Sequence, residues 1–195
     1  MKLVKADINK LAYIGSKPGE NKKNKRDSDS WFTPSIYTDM AREVMGEIDL
    51  DPFSSQTANT HIKAKRYFDV KSDAFKQQWF QDQGRVFMNP PYGRKIIDAA
   101  IDIFLTNLSN ESIAQGIVLV NNATETRWFH SLLSYADTIC FPDRRIAFET
   151  NDGKHVSGNT RGQVFFYFGY KIEKFEEVFG RTGAVLIPSK KRPVI

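Results

Sequence analysis

The spacing of apolar residues along this chain switches repeatedly between helical and extended signatures. Ile36, Met40, Val44 and Met45 fall on one helical face directly after Thr33-Pro34, where proline's fixed φ suits a first turn and the threonine offers a cap. The spacing predicts a helix that ends near Gly46. Residues 47–51 alternate and read as a short strand burying Ile48 and Leu50, closed by Pro52, which cannot donate to a ladder. Asp51 is thereby placed at a strand's carboxyl end.

Residues 66–70 read as a second short strand, and Phe75 and Trp79 sit at helical spacing within 73–79. A stronger strand over 85–88 is cut off by Asn89 and two prolines, after which residues 96–108 repeat with helical period. The continuous apolar run at 116–120 suits a strand covered on both faces, followed by a helix over 128–135 and strands over 138–141 and 164–168. Strand alternating with helix and closing on a β-rich pair predicts an α/β doubly wound sheet, with no internal repeat.

Composition narrows the picture. With 195 residues, 41% hydrophobic and 13% aromatic, the chain can bury the core of one domain, expected over 31–195. The formal charge of +5 favours an anionic partner without naming it. Part of that charge lies in residues 1–30, where Lys22, Lys23, Lys25 and Arg26 stand in a polar stretch with nothing to bury. That stretch reads either as a flexible arm contacting DNA phosphates or as a solvated linker. A lone cysteine, Cys140, cannot form an internal disulfide, and no Cys/His cluster has zinc spacing, so no metal is expected. Neither an export signal nor an apolar run long enough for a bilayer is legible, which predicts a cytoplasmic protein without membrane association.

The turn Asn89-Pro90-Pro91-Tyr92 carries the most specific chemistry. An exocyclic amino nitrogen on an aromatic ring is a poor nucleophile because its lone pair is delocalised. Two acceptors aimed at its two N–H bonds, the Asn89 side-chain oxygen and the Pro90 carbonyl, favour a pyramidal nitrogen. The prolines fix the backbone in advance and add no competing N–H. Tyr92 offers a ring for stacking. Since the alkylated nitrogen is acidic as a cation, no dedicated base is needed, and the scattered His61, His130 and His155 read as surface or satisfied core groups.

Together these motifs resemble the class I S-adenosylmethionine-dependent amino-methyltransferases of DNA, and in particular the phage-type (Dam-like) N6-adenine methyltransferases. The likeness runs from Trp31-Phe32-Thr33-Pro34 through Ile48-Asp49-Leu50-Asp51-Pro52, the Tyr67-Phe68 and Trp79 stretch, and Met88-Asn89-Pro90-Pro91-Tyr92-Gly93. It continues to Cys140-Phe141-Pro142 and Arg145-Ile146-Ala147-Phe148. The resemblance implies a Rossmann-like, mostly parallel seven-stranded sheet with one antiparallel strand and helices on both faces, S-adenosylmethionine as cofactor, and double-stranded DNA as partner. It also implies that Asn89 to Tyr92 receive the base, that Asp51, Pro52 and Phe53 line the cofactor pocket together with Asn89, and that Trp31, Thr33 and Pro34 close it. A ribose-holding carboxylate is implied after the second strand, where Asp69 and Asp73 both qualify.

Two departures stand out. Relatives carry glycines after the acidic strand end where this chain has Ser54 and Ser55, so the cofactor loop must take another conformation. The short distance from Asp51 to Asn89 leaves no room for an inserted DNA-reading domain, so recognition falls to loops, the arm or a second subunit. The polar segment 149–163, with Lys154 and Arg161, reads equally as a reading loop or a plain connection between strands. Arg94, Lys95, Arg144 and Arg145 are candidate phosphate contacts, and Phe148 reads either as a cover for the flipped base or as core. Because the same turn can hold any planar amine, RNA adenine, cytosine N4 and protein glutamine stay open as substrates, as does a silent DNA-binding module. The sequence leaves monomer and homodimer open.

Overall fold

A computed structural model describes residues 32–93, 95–149 and 161–189. Five α-helices and a seven-stranded sheet make up the described residues. The strands are β1 (Leu50–Asp51), β2 (Arg66–Tyr67), β3 (Gly84–Met88), β4 (Ile113–Asn121), β5 (Thr138–Pro142), β6 (Gln163–Phe168) and β7 (Gly183–Leu186). Their order across the sheet is β2-β1-β3-β4-β6-β5-β7. The first four run parallel, while β6 is antiparallel to both β4 and β5, and β7 is antiparallel to β5.

Two strands, β6 and β7, therefore oppose the rest, not the single reversed strand expected. The reason lies in the connection. β6 turns back from β5 and slots between β5 and β4, and the helix that follows returns the chain to the end where β6 began, which forces β7 parallel to β6. The fold is a mixed α/β architecture compatible with a methyltransferase.

Helices cover both faces because residues along each strand alternate. Phe87, Ile117, Leu119, Phe165 and Tyr167 face α1 (Ser35–Met45), α2 (Gln56–Ile62) and α5 (Ile172–Phe179). Val86, Met88, Val118, Val120, Phe166 and Phe168 face α3 (Ile96–Ser109) and α4 (Arg127–Tyr135). Gly116 is required on the second face, since a Cβ there would lie 2.7 Å from the Phe104 ring.

Local differences from the sequence reading have identifiable causes. α1 ends as expected, with Gly46 at φ 93° donating to the Arg42 carbonyl. Its N-cap position is taken by Pro34 without a side-chain cap, and the Thr33 hydroxyl is used elsewhere. The first strand begins only at Leu50, so Ile48 and Leu50 are both buried but on opposite sides of the sheet. The helix expected over 73–79 shrinks to one 3₁₀ turn, Ala74–Lys76. Trp79 lies beyond it, buried, with its Nε1–H donating to the Ala74 carbonyl at 3.1 Å. α2, α5 and β7 are additions to the sequence reading.

Candidate active site

Parallel pairing brings the carboxyl ends of β1, β3 and β4 to one edge of the sheet, and antiparallel β6 starts at the same edge. Asp51, Asn89, Asn121 and Gln163 are thus assembled from four strands, the switch-point location where open α/β sheets bind ligands.

Asn89 follows β3 directly. Its Nδ2 donates to the Thr33 hydroxyl at 3.2 Å, while its Oδ1 is buried and has no hydrogen-bond partner among the described residues. A buried acceptor left open costs stability, on the order of 1–3 kcal/mol, so a ligand donor is the natural complement. Among the described residues nothing donates to the Pro90 carbonyl either. Tyr92 is 37% exposed overall, yet its hydroxyl is set deep enough that lost hydration pushes its pKa up, opposed by the Asn121 backbone amide and the Arg161 charge. One residue therefore presents ring surface to solvent while its polar end is turned inward.

Asp51 is 2% exposed. Burial drives its carboxyl up to about 7, against the pull of the Ser54 hydroxyl and the Phe53 N–H, which donates to Oδ1 at 3.2 Å. No described cation is among the groups that shift it. Among the described residues, Ser54 Oγ is the other buried side-chain polar atom without a partner of ordinary hydrogen-bond geometry. The serine pair in place of glycines takes a definite form: the Ser54 N–H donates to the Phe68 carbonyl at 2.8 Å, and Ser55 caps α2 through the Ala58 N–H. Phe53 lies against Phe75 and Trp79, with ring centroids 5.4 and 6.5 Å apart. Carboxyl, hydroxyl and aromatic rings are thus neighbours at the end of β1.

The two carboxylates after β2 differ. Oδ1 of Asp69 accepts from the Lys71 and Ser72 N–H groups and the Ser72 hydroxyl, bonds that hold its pKa down. Asp73, at φ 54°, accepts from the Phe75 N–H through one oxygen and pairs with Lys76 through the other at 2.8 Å. Only Asp69 keeps an oxygen unused among the described residues.

Thr33 and Pro34 are buried beside this edge, and Pro52 is buried next to Asp51. Arg144, Arg145, Arg161 and Lys95 are exposed. Phe148 is buried in the core with α1 and α5, so its ring is used in packing rather than left open to a base. Trp31, Lys22, Lys23, Arg94 and Lys154 lie outside the described residues, as do His155 and the arm over 1–30. No group of acidic, His or Cys side chains able to hold a metal occurs among the described residues, and no helix there is long and apolar enough to cross a membrane.

The sequence reading missed Asn121 and Gln163. Gln163 is buried; its Oε1 accepts from the Ile146 N–H at 3.2 Å, and its Nε2 donates to Asn121 Oδ1 at 3.2 Å and to the Arg161 carbonyl at 2.9 Å. The signal was an amide at the head of the otherwise apolar run Val164 to Phe168. A groove of about 500 Å³ opens at the other end of the strands, between Asp49, Arg66, Phe80 and Arg85. Arg85 there is paired with Asp49 and Glu47, and neither of the buried polar atoms without a partner among the described residues lines this groove.

A family model described as DNA N-6-adenine-methyltransferase (Dam) matches residues 20–180. No curated protein matches the chain.

Proposed function

The chain belongs to the DNA N-6-adenine-methyltransferase (Dam) family, and from that membership we propose that it methylates the N6 amino nitrogen of an adenine extruded from double-stranded DNA. The observation that carries this reading is the buried, unpartnered Oδ1 of Asn89, an acceptor awaiting a donor at the end of β3.

S-adenosylmethionine supplies an electrophilic methyl group on a sulfonium. Asp51, Pro52, Phe53 and Ser54 would hold it, with Thr33 and Pro34 closing the pocket. A buried carboxyl with no ion pair among the described residues, beside the Ser54 hydroxyl, suits its ammonium and polar groups. Asp69, with one oxygen still unused, fits the ribose better than Asp73.

Asn89 Oδ1 and the Pro90 carbonyl accept the two amino hydrogens of adenine, drawing the nitrogen lone pair out of the ring. Pro90 and Pro91 hold that carbonyl without ordering cost at the moment of reaction. Tyr92 stacks on the extruded base, a contact worth about 1–3 kcal/mol. The proton leaves to water, and no described group is needed to take it. Exposed Arg144, Arg145, Arg161 and Lys95 are the proposed phosphate contacts.

Tritiated methyl transfer to duplex DNA, RNA and protein in parallel, followed by nucleoside analysis, tests the assignment. Label recovered as N6-methyladenine from duplex DNA is expected; label in protein alone overturns it.

A further inference from the structure

Resting on this reading of the turn, we propose that Thr33 is a positioning residue for the transfer step, pinning the amide plane of Asn89 so that Oδ1 stays aimed at the substrate amine. The two residues are 56 apart in sequence, and the Asn89 Nδ2 to Thr33 Oγ1 distance is 3.2 Å. The terminal torsion of an asparagine is broad, so an amide without a second anchor would sample a range of planes. The hydrogen bond to Thr33 removes that freedom while leaving Oδ1 unpartnered.

Thr33 is itself held. It is 4% exposed, and its neighbour Phe32 exchanges both backbone hydrogen bonds with Glu149, at 2.7 and 3.0 Å. The Phe32 ring also stacks on His61, with centroids 6.4 Å apart, and His61 Nδ1 lies 3.7 Å from Glu149 Oε2. Its hydroxyl is not spent on capping α1, whose N-cap position is held by Pro34. The segment that closes the cofactor pocket in the family likeness therefore also reaches the turn that receives the base. A wall residue would need only bulk here, whereas a positioning residue needs the hydroxyl.

Valine is nearly isosteric with threonine and removes only that group. Thr33→Val should slow single-turnover methyl transfer about ten-fold, the scale of one lost hydrogen bond, while S-adenosylmethionine affinity by calorimetry stays within roughly two-fold. Thr33→Ser should restore most of the rate. In an Asn89→Ala background, Thr33→Val should cost nothing further, because its effect passes through the missing amide. Thr33→Ala replaces the valine if the melting curve shows that valine disturbs folding. Equal losses in both backgrounds, or a loss of cofactor affinity matching the loss of rate, would overturn the role of Thr33 alone. Full activity of Asn89→Ala by itself would overturn the reading of the turn and this proposal with it.

Discussion

The Nε2 group of Gln163 donates to Oδ1 of Asn121 at 3.2 Å, linking the first residue of β6 to the last residue of β4 at the edge of the sheet where Asn89 lies. The same side chain accepts from Ile146 and donates to the Arg161 carbonyl, so one buried amide ties both ends of the connection between β5 and β6 to the Asn89 edge of the sheet. Substitution by leucine leaves the Ile146 N–H and the Asn121 oxygen without that partner. Gln163→Leu should cost about 1–3 kcal/mol for each group that water cannot reach. Denaturant unfolding measures this, and an unchanged midpoint would show that the amide holds nothing.

Asn89→Ala removes an acceptor that is unsatisfied in the free protein. Methyl transfer should fall by roughly 10²–10³, the usual effect of losing one preorganised polar group at a reacting centre, while cofactor affinity is nearly kept. Thermal stability should stay about level, since the lost Nδ2 hydrogen bond to Thr33 is offset by removal of a buried acceptor that has no partner among the described residues. A melting temperature that drops together with activity would point to a structural asparagine.

Asp51 gives the free protein a distinctive pH dependence. Its carboxyl is raised by burial to about 7, while an unfolded aspartate titrates near 3.9, approximately. Between those values the native state keeps a proton that the unfolded chain has released, so this group's contribution is full in acid and is lost as pH rises toward 7. Wild type should therefore lose stability relative to Asp51→Asn over that window. Cofactor affinity should rise with pH up to about 7 as the carboxylate forms to meet the ammonium. Melting temperatures that run parallel for the two proteins from pH 4 to pH 7, roughly the interval between the two titrations, would contradict the shift.

Arg144 and Arg145 are exposed at the end of β5. If each neutralises a phosphate, Arg144→Ala and Arg145→Ala should each weaken DNA binding and lower the slope of log K against log salt by about one. Cofactor affinity should not move. Slopes equal to wild type would remove them from the interface.

Much of the frame was legible because period, proline and turn residues act locally. The end of α1 at Gly46, the abrupt stop of β3 at Asn89 and the helix after it follow from the chain's own punctuation. α2 was hidden because its stretch from Gln56 to Ile62 is mostly polar and buries only Ala58 and Ile62. Trp79 suggested helix by its spacing, yet its burial comes from packing under β1 and β3 rather than from helical period.

By itself the sequence determined the Asn-Pro-Pro-Tyr turn after a strand, the acidic strand end and the alternation that buries both faces of a sheet, since each depends on neighbours a few residues apart. Tertiary structure alone decided that β6 and β7 both run against the rest. It also packed Phe148 into the core, left Asn89 Oδ1 open, and joined Thr33 to Asn89 and Gln163 to Asn121. Those are pairings between distant segments, fixed by which strands lie side by side, and short-range spacing does not encode which strands become neighbours.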